Sequence, residues 1–128
     1  MAKKYTGPFI TSSFHRVYLT ATVNDIKSVL GEAQHSENSG EDKVNFGWEG
    51  ITSAGIVFTV YDWKKYRSIG LDETLEWHIG GQNFLDTHDA MEELLRDIHA
   101  AKEEDKKLKL GIGDDEYNAL NELNQINE

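Results

Sequence analysis

The strongest β-strand pattern in the chain is Ile56-Val57-Phe58-Thr59-Val60-Tyr61-Asp62-Trp63. β-Branched and aromatic residues dominate it, and such side chains suit the pleated surface of a sheet. Alternation points the even-numbered apolar residues to one face of a strand and Thr59, Tyr61 and Trp63 to the other. We expect the first set to face a core and the second to begin an aromatic outer face.

Two neighbouring segments extend this strand into a sheet. Upstream, Val44, Phe46 and Trp48 alternate with polar or small residues, and the turn at residues 52–55 predicts a hairpin. Downstream, residues 73–79 alternate again, so antiparallel pairing would add His78 to the aromatic face. Gly80-Gly81 follows this strand. Because the Lys-Ser/Thr of a phosphate-binding loop is missing after the two glycines, we expect them to form a tight turn that needs positive φ.

The segments before residue 44 predict a strand, a helix and a loop. Polar and apolar residues alternate over 15–20, with Val17 and Leu19 inward. Thr22 stands three residues before Asp25, which predicts a capping box and a helix of about ten residues ending at Gly31. Residues 32–42 are polar and without periodicity, which predicts a mobile loop.

The segments after residue 81 are mainly helical in pattern. Asp86 or Thr87 is expected to cap a longer helix, in which apolar residues recur at helical spacing as far as Ala101. Residues 102–107 are all charged, and 108–112 alternate like an extended link or short edge strand. A last segment from Asp114 carries a narrow apolar stripe, which could pair with a second copy: Tyr117, Leu120, Leu123 and Ile126.

These elements predict an α+β fold in the order β-α-β-β-β-α. We expect an antiparallel sheet of about four strands, with helices mainly on one face and a C-terminal helical segment. The chain of 128 residues suits a single domain. Within it we expect an N-terminal arm at 1–12, a core at 13–101 and an acidic C-terminal extension with a short helix at 102–128.

Charge is divided unevenly along the chain. Residues 1–72 contain eight Lys or Arg and eight Asp or Glu, whereas residues 73–128 contain five and fifteen, so the net charge of −10 lies in the C-terminal part. That part lacks the cations that replace phosphate counterions, so direct nucleic-acid binding is disfavoured.

No apolar run approaches the ~18–20 residues of a membrane span, and we expect a cytoplasmic location and no membrane partner.

No residue set for catalysis, metal binding or cofactor binding occurs at a convincing spacing. Zero cysteines exclude disulfides, thiolate zinc sites and cysteine nucleophiles. The histidines lack the short spacing typical of metal ligands. His78 has the chemistry of an acid or base, but a lone strand histidine is more often a hydrogen-bonded structural residue. We therefore expect a protein that is not an enzyme and needs no cofactor.

The segment Tyr61–Arg67 has the most unusual local composition, with three aromatic and three cationic residues among seven. Aromatic and arginine side chains are favoured at binding hot spots, and stacked bases would use similar residues. Protein contact, a plain structural role and nucleotide contact all stay open. The candidate binding residues are Tyr61, Trp63, Lys64, Lys65, Tyr66, Arg67 and His78.

At residues 61–67 and in Glu76-Trp77-His78-Ile79-Gly80-Gly81, the chain resembles small early-type proteins encoded by tailed bacteriophages. The resemblance extends from about Phe14 to Ala101 and carries over no functional residue. It implies a non-structural phage protein in the bacterial cytoplasm that acts on a host enzyme or an antiviral defence system. In charge, the acidic C-terminal half is similar to phage inhibitors that imitate DNA, such as some anti-CRISPR proteins.

Charge and resemblance together predict an acidic interaction protein that binds and modulates a host protein. The partner would be one with a basic, nucleic-acid-binding surface, which an acidic helical surface could meet by DNA mimicry while aromatic residues anchor the complex. Two alternatives remain. One is capture of a nucleotide or signalling molecule between the sheet face and the loop at 64–67. The other is a homo-oligomeric assembly module built on the stripe that begins at Tyr117.

Overall fold

The computed structural model describes residues 1–8 and 12–110, with side chains as far as Leu108. Within that part of the chain, six antiparallel strands form one sheet and two helices pack on one of its faces. The α+β prediction is therefore confirmed, with two short strands more than expected. The elements are β1 (Lys3–Lys4), β2 (Ser13–Ala21), α1 (Val23–Leu30), β3 (His35–Ser36), β4 (Phe46–Ile51), β5 (Val57–Tyr61), β6 (Leu75–Gly81) and α2 (Phe84–Leu110).

The strand order is β1-β4-β5-β6-β2, and β3 also pairs with β4. Two short strands therefore share one edge of β4: β3 lies beside Phe46 and Gly47, and β1 lies beside Gly50 and Ile51. The side-chain amide of Gln34 links the neighbouring backbone. Its Nε2 donates to the carbonyl oxygens of Tyr5 and Glu49 at 3.2 and 3.0 Å, and its Oε1 accepts from the Glu49 N–H at 3.0 Å.

The core lies between the sheet and the two helices. Alternate residues along each strand are buried there, including Leu19, Phe58 and Val60, as the alternation predicts. The rings of Trp48 and Trp77 meet edge to face, with centroids 5.5 Å apart. Each indole N–H donates to a backbone carbonyl at 2.9 Å, so both large side chains are buried without an unpaired donor.

Helix α1 begins and ends where the sequence predicts. The Thr22 hydroxyl accepts from the Asp25 N–H, and the Asp25 carboxylate accepts from the Thr22 N–H, both at 3.0 Å. This is the predicted capping box. At the other end, Gly31 has a φ of 75° and its N–H donates to the carbonyl of Lys27, which closes the last turn.

The N-terminal residues are part of the sheet. Ala2 is 4% exposed, and its N–H donates to the buried carboxylate of Asp97 on α2 at 2.7 Å. The start of the predicted arm is thus fixed by β1 on one side and by α2 on the other. The predicted mobile loop at 32–42 likewise includes β3.

Helix α2 differs from its prediction at both ends. It begins at Phe84, and Asn83 rather than Asp86 or Thr87 caps it, because the Asn83 Oδ1 accepts from the Asp86 N–H at 2.9 Å. At the other end the helix continues through Leu110, so the prediction of an extended link or short edge strand over 108–112 is wrong for residues 108–110. Ion pairs stabilise the helical conformation of the charged run 102–107. Lys106 pairs with Glu103 within the helix at 3.7 Å, and Lys102 pairs with Asp25 on α1 at 3.4 Å.

The predicted tight turn at Gly80-Gly81 is also wrong. Both glycines belong to β6, and neither is among the described glycines with positive φ. A Cβ on Gly80 would collide with the hydroxyls of Ser12 and Thr59, and one on Gly81 with the Thr87 side chain. These positions therefore need glycine for close packing.

The predicted last segment, with its stripe of Tyr117, Leu120, Leu123 and Ile126, lies outside the described residues. Neither described helix combines the length and the apolar character needed to cross a bilayer.

Candidate interaction surface

The outer face, the face of the sheet opposite α1 and α2, carries five rings in mutual contact. We call them the outer ring cluster: Phe14, Tyr18, Tyr61, Trp63 and His78. Strand register explains the arrangement, because Tyr18 and Tyr61 lie directly opposite His78 on the two strands that flank β6. Phe14 stacks on His78 with centroids 4.1 Å apart and planes 10° apart, and both tyrosine rings meet the imidazole at 5.4 Å. The predicted aromatic face is thus present, with His78 at its centre.

An irregularity in β2 brings Phe14 into the cluster. Phe14 pairs with Gly80, whereas the register between Tyr18 and His78 would place it opposite Gln82, beyond the end of β6. The register shift lies between Phe14 and Val17 and includes Arg16, whose φ is 62°. β-Bulges re-aim side chains in this way and also blunt an edge strand such as β2. Alternation in the sequence gives no signal for such a shift.

The environment of the cluster favours neutral side chains. Burial lowers the pKa of His78 below its ordinary value, and the positive charge of Lys65 lowers it further. Burial raises the pKa of Tyr61. Both shifts disfavour the charged form, so the centre of the outer face is a neutral aromatic surface at pH 7.

Lysines surround the exposed edge of the cluster. The Nζ atoms of Lys43 and Lys64 lie 5.9 and 5.6 Å from the centroid of the Trp63 ring, within the range of cation–π attraction. The two lysines are neighbours, since the Lys64 N–H donates to the Lys43 carbonyl at 2.7 Å. Among the described residues, neither these two nor Lys65 forms a salt bridge. The outer face thus has a positive rim at its Trp63 side, on an acidic protein, while the exposed Glu76 shares the same face.

Arg67 is placed differently from the other cations of its segment. Its guanidinium binds the carboxylate of Glu73 through two nitrogens, one at 2.9 Å. The hydrogen bond from Arg67, and then one from the Gly70 N–H, lower the pKa of Glu73 to about 2. Arg67 therefore closes the loop between β5 and β6, and its charge is already paired.

A buried polar pair fixes the loop that carries Trp63. The Asp62 carboxylate accepts from the N–H groups of Asn45 and Phe46 and from the Asn45 side-chain amide, at 2.8–3.1 Å. Asn45 also donates to the carbonyl of Arg67 at 3.0 Å. These bonds hold the loop while Lys64 and Tyr66 keep left-handed φ values of 55° and 51°. Such backbone strain persists where the surroundings enforce it, and it is frequent at functional sites.

A groove of about 480 Å³ lies beside the cluster, over β4 and β5. Gly47, Val57, Thr59 and Tyr61 are among the residues that line it from the two strands, and Trp63 lies at its boundary with the cluster. Tyr5 and His35 contribute further rings. The sequence does not predict this groove, because the groove depends on the pairing of β1 and β3 with the same edge of β4.

The predicted binding residues therefore divide into three groups. Tyr61, Trp63 and His78 belong to the outer ring cluster, and Lys64 and Lys65 lie near it. Tyr66 is 55% exposed on the loop. Arg67 binds Glu73 instead of contributing to the surface.

One further group of titratable residues lies near the start of α2. His88, Asp89 and Glu92 offer ligand atoms within 4.8 Å of one another, and the two carboxylates belong to exposed residues. Spacing among the histidines alone does not reveal this group; the signal that reveals it is a histidine four residues before a glutamate. The His88 Nδ1 lies 3.7 Å from the Glu92 carboxylate, which accounts for their proximity as an ordinary helix-surface pair.

Comparisons of the chain with protein-family models, curated proteins and solved structures give no match. Function is therefore inferred from the outer face itself.

Proposed function

We propose that this α+β protein is a non-enzymatic interaction protein that docks onto another protein through its outer face. The observation that supports this is the outer ring cluster, which neither described helix covers. Within it, Tyr18 is 45% and Trp63 is 40% exposed, although large aromatic rings gain most when they leave water. Rings of this kind, held rigidly at a surface, are the usual anchors of protein interfaces.

The cluster suits a binding role better than a catalytic one. Its one titratable ring of intermediate pKa, His78, contacts aromatic neighbours on three sides. Arg67 and Glu73, further along the same loop, are already bound to each other. A general acid or base needs a reacting group within hydrogen-bond reach, and the aromatic neighbours restrict that access.

The acidic residues of α2 lie on another side of the molecule. Residues 84–110 contain eight Asp or Glu and five Lys or Arg, and α2 packs against the face of the sheet opposite the rings. A flat partner that covers the cluster would therefore not reach the solvent side of α2. The cluster supports docking through aromatic contacts with a positive rim, and DNA mimicry through α2 would be a separate use of the molecule.

In this proposal the partner is a host protein in the bacterial cytoplasm, as the resemblance to early-type phage proteins implies. The positive rim around Trp63 favours a partner surface that is apolar at its centre and acidic at its border. The net negative charge of the whole chain then acts against non-specific attraction to nucleic acid.

Affinity capture from a bacterial lysate tests this function. The full chain, Trp63→Ala and Tyr18→Ala would be compared at low and high salt. Phe84→Ala is a matched control, because Phe84 is a 52% exposed ring at the start of α2 and lies outside the cluster. We expect one or more host proteins to be captured by the full chain and by Phe84→Ala but not by the two cluster variants. Equal capture by all four proteins would contradict the proposal.

A further inference from the structure

We propose that the groove over β4 and β5 binds a small planar anion of about the size of a mononucleotide. The inference goes beyond protein docking, since it concerns a different part of the outer face. The groove and the cluster share Tyr61 and Trp63, but Phe14, Tyr18 and His78 do not line the groove. Its volume of about 480 Å³ is in the range of small-molecule sites.

Aromatic walls make the groove suited to a flat ligand. Tyr5, His35, Tyr61 and Trp63 all line it, and Val44 and Val57 add apolar surface. Rings stack on one another in offset or edge-to-face geometry, and stacking of a planar base on aromatic side chains tolerates many ring types. Gly47 has no side chain over β4, and a Cβ there would already be in van der Waals contact with the His35 Cβ at 3.6 Å, so the glycine leaves room for about a methyl group.

The charge of the ligand follows from the two lysines at the Trp63 end. Lys43 and Lys64 hold their Nζ atoms near one ring, and no described carboxylate pairs with either of them. Neither lysine lines the groove itself, but both ammonium groups lie near the ring of Trp63, which does, and their attraction to that ring positions them to meet an anion bound at this end. A phosphate group, with a charge of about −2 at pH 7, would neutralise both lysines, whereas a carboxylate would neutralise only one.

The opposite end of the groove has the reverse polarity. In the pairing of β4 with β5, Gly47 lies opposite Tyr61 and Glu49 lies opposite Thr59. The two pairs are two residues apart, which corresponds to about 7 Å along a strand. Glu49, Thr59 and Ser12 line this end; the Ser12 and Thr59 hydroxyls bond to each other at 3.2 Å, so the Glu49 carboxylate is the group that can accept from a ligand. A ring that carries a donor group, such as an exocyclic amine, would bind here while its anion reaches the lysines.

Calorimetric titration of the full chain tests the proposal with four probes. They are adenosine 5′-monophosphate, adenosine, inorganic phosphate and octanoate, which supply ring plus anion, ring alone, anion alone and an aliphatic anion. We expect the mononucleotide to bind at least about tenfold more tightly than each of the others, because only it uses both ends of the groove. Quenching of Trp63 fluorescence should accompany its binding.

Two lysine variants provide the matched test. Lys43→Ala and Lys64→Asn remove the charges, and asparagine tolerates the left-handed backbone at position 64. Each should weaken mononucleotide binding about fivefold to tenfold, while Lys106→Ala, on α2 and paired with Glu103, should leave it unchanged. Circular dichroism would verify that all three variants are folded.

Several results would overturn the inference. One is the absence of mononucleotide binding at concentrations up to about 1 mM. Others are equal affinity for adenosine or octanoate, or unchanged affinity in both folded lysine variants. Because Tyr18→Ala alters the cluster without altering the groove, loss of partner capture in that variant with normal mononucleotide binding would separate this inference from the proposed function.

Discussion

Asn45 and Asp62 lie 17 residues apart and bind each other in the interior, where both are fully buried. The Asn45 Nδ2 donates to the Asp62 Oδ2 at 3.0 Å, and the backbone N–H groups of Asn45 and Phe46 donate to the same carboxylate. The pair thereby joins the start of β4 to the end of β5 and fixes the loop that presents Trp63 and its lysines. Both proposed binding surfaces depend on this connection.

Removing this pair should destabilise the fold. Asp62→Asn replaces a carboxylate that only accepts hydrogen bonds with an amide that also carries two donors, so at least one buried N–H loses its partner. We expect the free energy of unfolding to fall by about 2–4 kcal/mol in urea titrations. Asp42→Asn, at an exposed position of the preceding loop, is the control and should change it little. A loss below about 0.5 kcal/mol in Asp62→Asn would show that the pair does not hold the loop.

The imidazole of His78 should make stability depend on pH. Its pKa in the folded protein lies below the ordinary value of 6.5, mainly because of burial and then because of Lys65. The unfolded chain therefore takes up a proton near pH 6.5 that the folded protein binds only at lower pH, and stability falls as the pH drops through this window. Urea titrations at pH of about 7.5 and about 5.5 should show a larger loss for the natural chain than for His78→Gln. An exposed control, His99→Gln, should behave like the natural chain; equal losses in all three proteins would refute the prediction.

The carboxyl group of Glu73 should titrate far below its usual range. Its pKa is about 2 because Arg67 and the Gly70 N–H donate to the charged form. The contribution of this pair to loop order is present above the unfolded-state pKa of about 4.5 and is lost as the pH falls through about 2. An NMR titration of the Glu73 side chain measures this directly, with Arg67→Gln expected to raise the pKa towards 4.5. A midpoint near 4.5 in the natural chain would mean that the ion pair is not formed in solution.

Partner binding should depend on Tyr66 and on salt. Tyr66 is exposed on the loop that also carries Trp63, so truncation should remove a contact with the partner without altering the core. We expect Tyr66→Ala to cost about 2 kcal/mol of binding free energy, and higher ionic strength to slow association through the lysine rim. Surface plasmon resonance with the captured partner would measure both effects, with Leu85→Ala on α2 as the exposed control. Unchanged affinity in Tyr66→Ala together with salt-independent association would exclude this loop from the interface.

Local patterns predict much of this fold because they report local physics. The capping box of Thr22 and Asp25 uses backbone groups three residues apart, and the alternation through residues 56–63 reports which side chains face the core. The same alternation predicts His78 on the aromatic face. These elements required no knowledge of distant contacts.

The features that the sequence does not reveal depend on distant pairing. Strands β1 and β3 have two residues each, too few for any periodic pattern. Asn45 becomes important only when Asp62 and Arg67 meet it, and Phe14 joins the rings only through a register shift. The sequence does not predict the continuation of α2 to Leu110, because three apolar residues at alternate positions also fit an extended chain.

Hydrogen exchange of the full chain, with and without its captured host partner, tests the central claim most directly. The account predicts new protection of backbone amides in β2, in β6 and in the loop at 62–67, where the outer ring cluster lies, with little change along α2. Protection confined to α2 would contradict it, because the acidic helix and not the aromatic face would then be the surface that meets the partner.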